Sequence, residues 1–125
     1  MGYNILVIDD EPDISETLAD LLSSVADKVF SANSAKDGLA IIEQNSVHLV
    51  ISDIMMPDMS GIELMKNLRQ RRFRYPVVFV SASDSEESLQ KALEYGAADF
   101  ISKPFDTNEL LQLVERLLKT VKLVA

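Results

Sequence analysis

Five short apolar runs rich in β-branched residues alternate with five stretches of helical spacing, and this alternation constrains the fold more than any other property of the chain. The runs are Ile5 to Ile8, Lys28 to Ser31, Leu49 to Ser52, Val77 to Val80 and Asp99 to Ser102, each bounded by turn or cap residues. Between them apolar residues recur at helical intervals: Ile14, Leu18, Leu21, Leu22 and Val25; Ala35, Leu39 and Ile42; Ile62, Met65 and Leu68; Leu89, Ala92 and Leu93. A last stretch runs from Leu110 through Val114 and Leu118 to Val121. Ser34 with Asp37, Ser83 with Glu86 and Asp106 with Glu109 form capping-box-like pairs that mark helix starts, and Gly96 marks a stop. The pattern predicts an α/β fold, a five-stranded parallel sheet with helices on both faces. The runs at Ile5, Leu49 and Val77 are almost wholly apolar, so they are predicted to lie at the centre, buried on both sides.

A chain of 125 residues has room for one such domain, residues 1–125, and its 47% hydrophobic content is enough to build a core. The absence of Cys removes thiolate chemistry, disulfides and Cys-ligated metals, and a single His48 removes multi-His metal sites. Twelve basic against twenty acidic residues leave a net charge of -8, which opposes direct nucleic-acid binding because such binding depends on Lys and Arg displacing counterions. No apolar run exceeds four residues and the first four carry no basic residue, so no membrane span or signal peptide is read; a cytoplasmic location is expected.

In open parallel sheets, function gathers just beyond the carboxyl ends of the strands. Those positions carry Asp9-Asp10-Glu11-Pro12 after the first run, Asp53 after the third, Ser81-Ala82-Ser83 after the fourth and Lys103-Pro104 after the fifth. If the central strands are neighbours, Asp9, Asp10 and Asp53 converge, and two such charges about 4 Å apart repel by roughly 4 kcal/mol at an effective dielectric near 20. A cluster of that kind calls for a cation, and all-oxygen ligation favours Mg²⁺, with Mn²⁺ as an alternative. Carboxylate, hard cation, Lys and hydroxyl together suit phosphoryl transfer to a carboxylate. Asp53 stands alone on its strand and is the favoured nucleophile, whereas the adjacent Asp9 and Asp10 suit a metal platform. A lone Asp at a strand end more often just caps a helix; convergence of four strand ends outweighs that reading.

These residues resemble the receiver domain of two-component response regulators, in four motifs that occur in the family's order. They are Ile8-Asp9-Asp10-Glu11-Pro12, Ser52-Asp53-Ile54-Met55-Met56-Pro57-Asp58-Met59-Ser60-Gly61, Val80-Ser81-Ala82, and Gly96 through Lys103-Pro104-Phe105. The resemblance implies a flavodoxin-like (βα)5 fold with strand order 2-1-3-4-5. It implies that Asp53 accepts a phosphoryl group from a phosphohistidine on a sensor histidine kinase or histidine phosphotransfer protein. Asp10, Asp53 and the Met55 backbone carbonyl would ligate Mg²⁺, with Asp9 acting through water. Lys103 and Ser81 would contact the phosphoryl group, Ser81 and Phe100 would form the switch, and the Lys103-Pro104 peptide would be cis. Met55 and Ser83 would tune dephosphorylation; neither is a strong base, so fast hydrolysis is not expected. The family's downstream surface, here Leu89 to Val121, would engage a protein target or an output domain. The chain would act as a monomer or a phosphorylation-dependent dimer, and its last helix lacks the repeated Arg pattern of winged-helix regulators. The chain is read as a single-domain regulator or the front of a larger protein.

The remaining features have plainer readings. Arg69, Arg71, Arg72 and Arg74 form the one basic run, attributed to the helix dipole and solvation. Met55, Met56, Met59 and Met65 are expected to pack the acceptor loop and third helix, and His48 is expected to be exposed. A haloacid-dehalogenase-type phosphatase would want a second Asp two residues past the nucleophile, where Met55 stands after Asp53. A flavodoxin-like flavin binder would need a hydroxyl or Gly phosphate loop where Asp9-Asp10-Glu11 would repel phosphate. A receiver-like module that works without phosphorylation is disfavoured by the complete acceptor set.

Overall fold

The computed structural model describes residues 2–82 and 86–121. In chain order the elements are β1 (Asn4–Ile8), α1 (Pro12–Leu22), β2 (Lys28–Ala32), α2 (Ala35–Gln44), β3 (Leu49–Asp53), α3 (Gly61–Gln70), β4 (Val77–Ala82), α4 (Glu86–Glu94), β5 (Asp99–Lys103) and α5 (Thr107–Leu118). All strand pairings are parallel and the order is β2-β1-β3-β4-β5, so the flavodoxin-like topology is observed and β1, β3 and β4 occupy the centre.

Alternation along the central strands divides the core into two layers. Leu6 and Ile8 of β1, with Val50 of β3 and Phe79 of β4, face Leu39 of α2, Leu64 and Leu68 of α3 and Leu89 of α4. Ile5 and Val7, with Leu49, Ile51, Val78 and Val80, face Leu18 and Leu22 of α1 and Leu110 and Val114 of α5. Period-2 alternation explains the division, since neighbouring residues of one strand serve opposite faces.

Local chemistry sets the helix ends. Pro12 opens α1, where its missing N–H costs nothing. Ser34 Oγ accepts from the Asp37 N–H at the start of α2, and Asp106 accepts from the Asn108 and Glu109 N–H groups at the start of α5. Ser83, the capping residue of the Ser83–Glu86 start signal, lies outside the described residues. Gly96, two residues past the end of α4, adopts φ +101, which an L side chain rarely tolerates. Two apolar stripes outrun their helices: the Val25 N–H donates to the Leu22 carbonyl and the Val121 N–H to the Leu118 carbonyl, in tight turns that carry the stripe past the last α-helical turn.

Two sequence expectations need correction. His48 is buried, because β1 pairs beside it: the His48 N–H donates to the Asn4 carbonyl at 2.8 Å and the Asn4 N–H donates to His48 Nδ1 at 3.0 Å. The rings of Tyr3 and Tyr75 each meet the imidazole in a T-shaped contact. The basic run is also more than a solvated helix end. Arg69 donates to the carbonyls of Phe73, Tyr95 and Gly96, and Arg71 pairs with Glu43. Helix α3 ends beside the turn after α4, so carbonyls left over at that turn find the nearest guanidinium.

Candidate functional site

Register alone brings the acids together. Ile8 of β1 lies opposite Ser52 of β3, so Asp9 and Asp53 are the next pair at the carboxyl edge of two central strands. Asp9, Asp10 and Asp53 each present an oxygen within 4.8 Å of the others'. They differ in environment: Asp9 is buried, Asp53 is partly buried and Asp10 is exposed.

Lys103 enters from the far side of β4. Ala82 of β4 pairs with Lys103 of β5, and from there the ammonium spans back to lie 3.1 Å from Asp53 Oδ2 and 3.3 Å from Asp9 Oδ2. Burial pulls the Lys103 pKa down, but the hydrogen bond and charge of Asp53, with the charge and hydrogen bond of Asp9, outweigh it and hold the group above its ordinary value. The ammonium is therefore a permanent cation facing two carboxylates. The peptide bond that follows, Lys103-Pro104, is cis.

Backbone amides fix the other carboxylate oxygens. The Glu11 N–H donates to Asp9 Oδ1 at 3.0 Å and the Met55 N–H donates to Asp53 Oδ1 at 3.1 Å. Ser81 is buried at the end of β4, with its hydroxyl donating to the Ala82 carbonyl at 3.3 Å. Met55 is 60% exposed and Phe100, on β5, is 38% exposed. Met56 and Met65 are buried and Met59 packs against the same layer, whereas Met55 alone of these four faces solvent. Ser83 lies outside the described residues.

The donor set is chemically selective: three carboxylates, no imidazole and no thiolate, which matches a hard divalent cation such as Mg²⁺. Three further residues stand close to this site, and two of them escape a reading of the sequence alone. Ser60 caps α3 by accepting from the Glu63 N–H, a pair whose S-x-x-E spacing is itself a legible signal. Asn33 donates to the Asp9 carbonyl, and Asp58 accepts from the Ala35 and Lys36 N–H groups. These partners are 22 to 24 residues away along the chain, with no local pattern to announce them.

The family model described as response regulator receiver domain matches residues 5–115. The chain belongs to that family. This receiver domain is 33% identical over 125 residues to the alkaline phosphatase synthesis transcriptional regulatory protein PhoP of Bacillus subtilis (strain 168), a match that covers 100% of this chain and 52% of PhoP. It is 38% identical over 120 residues to the sensor histidine kinase RcsC of Salmonella typhi, covering 93% of this chain and 13% of RcsC. The chain thus spans about half of the first relative and a small part of the second. Among solved structures, the receiver domain of the Francisella response regulator 1452 superposes with a TM-score of 0.86 at 32% identity, covering 97% of this chain and 100% of that one. Among the described residues of this receiver domain, no helix is long and apolar enough to cross a membrane.

Proposed function

We propose that this receiver domain takes a phosphoryl group onto Asp53 from a phosphohistidine of a sensor histidine kinase or histidine phosphotransfer protein. The observation that carries the proposal is Lys103 Nζ held between Asp53 and Asp9, with Asp10 completing the acidic cluster. A carboxylate with a fixed cation on one side and a metal platform on the other is built to receive an anionic group.

An Asp53 carboxylate oxygen attacks phosphorus, the phosphorus–nitrogen bond breaks, and the donor imidazole leaves as a neutral ring once protonated. Asp10, Asp53 and the Met55 carbonyl would hold Mg²⁺, with Asp9 reaching it through water; when bound, the ion offsets charge on the phosphoryl oxygens. Lys103 supplies a second positive charge to those oxygens. Ser81 turns from the Ala82 carbonyl toward the phosphoryl group, since an acceptor of about two negative charges is the stronger partner. The space Ser81 vacates admits Phe100, which has no hydroxyl to leave unpaired when buried. That inward turn alters the surface of α4, β5 and α5 that a protein target or output domain reads. A phosphorylated structure with Phe100 still facing solvent would count against the coupling.

The deciding experiment is incubation with acetyl phosphate and Mg²⁺, read by intact mass. Wild type gains one phosphoryl group and Asp53→Asn gains none. Continuous release of phosphate without a protein-bound stage, or labelling that survives in Asp53→Asn, overturns the proposal.

A further inference from the structure

The two acid-bearing loops at the carboxyl edge of the sheet are joined by a third segment, the corner that leads from β2 into α2. From this corner Asn33 Nδ2 donates to the Asp9 carbonyl at 2.9 Å and to Ser15 Oγ at 3.0 Å, which ties the Asp9 turn to the first turns of α1. The next residues reach the other way. The Ala35 and Lys36 N–H groups donate to Asp58 Oδ1 and Oδ2 at 3.3 and 3.0 Å.

Asp58 belongs to the loop that follows Asp53. The base of that loop is closed by a bridge between Met55 and Ser60 and by the Gly61 N–H donating to the Ile54 carbonyl at 2.8 Å. Ile54 and Met56 are buried and Met59 packs on the core, which anchors the loop from beneath. Sideways support is sparser. Asn67 approaches Met59 Sδ at 3.8 Å from α3, and a cleft of about 460 Å³ lined by Leu39, Asp58 and Met59 opens between α2 and α3. Among the described residues, the hydrogen bonds from residues 55–59 to α2 are the two made by Asp58.

We infer that the α2 corner is a brace that sets the spacing of the three carboxylates, with Asn33 holding the Asp9 turn and Asp58 holding the Asp53 loop. Asp58 and Asn33 are positioning residues, since neither belongs to the carboxylate cluster itself. A carboxylate suits the Asp58 position because it faces two unpaired amides and the positive end of the α2 dipole. Outer residues that orient a metal's ligands commonly change affinity by about 10-fold to 100-fold when removed. The inference rests on the proposed Mg²⁺-dependent role for its consequence, while the bracing itself is a statement about backbone order.

The test compares Asp58→Ala with Ser34→Ala. Both remove a cap from α2, because Ser34 Oγ accepts from the Asp37 N–H, but only the first releases the Asp53 loop. Amide hydrogen exchange is read at Met55 and Gly61, and Mg²⁺ affinity is read by titration. Asp58→Ala is expected to speed exchange at Met55 and to weaken Mg²⁺ binding about 10-fold. Asp58→Asn, which keeps one acceptor oxygen, falls in between, and Ser34→Ala leaves both readouts at the wild-type level. Unchanged exchange at Met55 in Asp58→Ala overturns the brace, as does an equal response in Ser34→Ala. If wild type binds no Mg²⁺, the phosphorylation reading fails, and the exchange data still decide the brace.

Discussion

Lys103 Nζ stands 3.1 Å from Asp53 Oδ2 and is shared with Asp9 Oδ2 at 3.3 Å, so one ammonium serves two carboxylates from neighbouring strands and offsets the charge of only one. Lys103 and a bound cation compete for the same charge. Lys103→Ala is therefore expected to bind Mg²⁺ at least as tightly as wild type, while phosphorylation by acetyl phosphate slows about 100-fold for want of the second charge on the phosphoryl oxygens. Without Mg²⁺ the variant melts at a lower temperature because buried Asp9 has lost its cation, and Mg²⁺ restores the difference. The loss stays below the roughly 3–5 kcal/mol of breaking a fully buried pair, since Lys103 is partly solvated. Weaker Mg²⁺ binding in the variant would contradict this account.

Met55 projects into solvent two residues past Asp53 and offers an attacking water no base and only a weak thioether acceptor. Replacing it with Glu or Asn is expected to shorten the half-life of the acyl phosphate by about 10-fold, a modest share of what a well-placed base supplies. The decay of phosphoprotein with time measures it, and equal half-lives would remove Met55 from any tuning role.

Gly61 and Gly38 invite the same substitution with different outcomes. A Cβ at Gly61 would lie 2.6 Å from Ile54 Cγ1, 2.9 Å from Phe79 Cε1 and 3.2 Å from Ile54 Cα, a ring and a backbone that cannot step aside. At Gly38 the nearest atom, at 2.5 Å, is Cδ1 at the free end of Ile8. Gly61→Ala is expected to destabilise by about 2–3 kcal/mol through overpacking. Gly38→Ala costs less, because about 1 kcal/mol of helix propensity offsets the repacking of Ile8. Urea denaturation midpoints order the two.

Arg69 closes the turn after α4 with three carbonyl contacts, the shortest 2.9 Å to Gly96. A lysine has one point of donation where the guanidinium has a planar fork. Arg69→Ala is expected to cost about 1–2 kcal/mol, reduced by solvent at this exposed position, and Arg69→Lys to recover less than half of it. Matched thermal melts of the three proteins decide the point.

His48 is the chain's single histidine, so its titration can be followed without overlap. Burial lowers its pKa below the ordinary 6.5, and its Nδ1 must stay unprotonated to accept from the Asn4 N–H. The unfolded chain then binds the proton more readily than the folded one. The stabilisation is complete above pH 6.5 and is lost as pH falls from 6.5 toward the lowered folded value. His48→Asn, which keeps an acceptor but does not titrate, is expected to flatten that slope; an NMR titration placing the wild-type imidazole above 6.5 would refute it.

The alternation of apolar runs with helical stretches was sufficient for a five-stranded parallel sheet with helices on both faces, because burial on both faces of a parallel strand leaves a signature within five consecutive residues; the strand order was implied by the family resemblance and not by the alternation. Asp9, Asp10, Asp53 and Lys103, which folding brings together, were legible for the same reason: each stands at or just past the carboxyl end of a recognisable apolar run. His48 shows the limit. It sits just before a strand, where no periodicity distinguishes inside from outside, and the pairing of β1 with β3 decided its burial. Arg69 reads as a solvated charge until α3 is seen to end beside the turn at Gly96. Asn33 and Asp58 are ordinary turn residues in sequence, and only folding brings them against Asp9 and the first turn of α2. Local periodicity and capping act over a few residues and can be read along the chain. Hydrogen bonds between segments more than twenty residues apart depend on where the core layers set each loop, and the tertiary structure alone decides that.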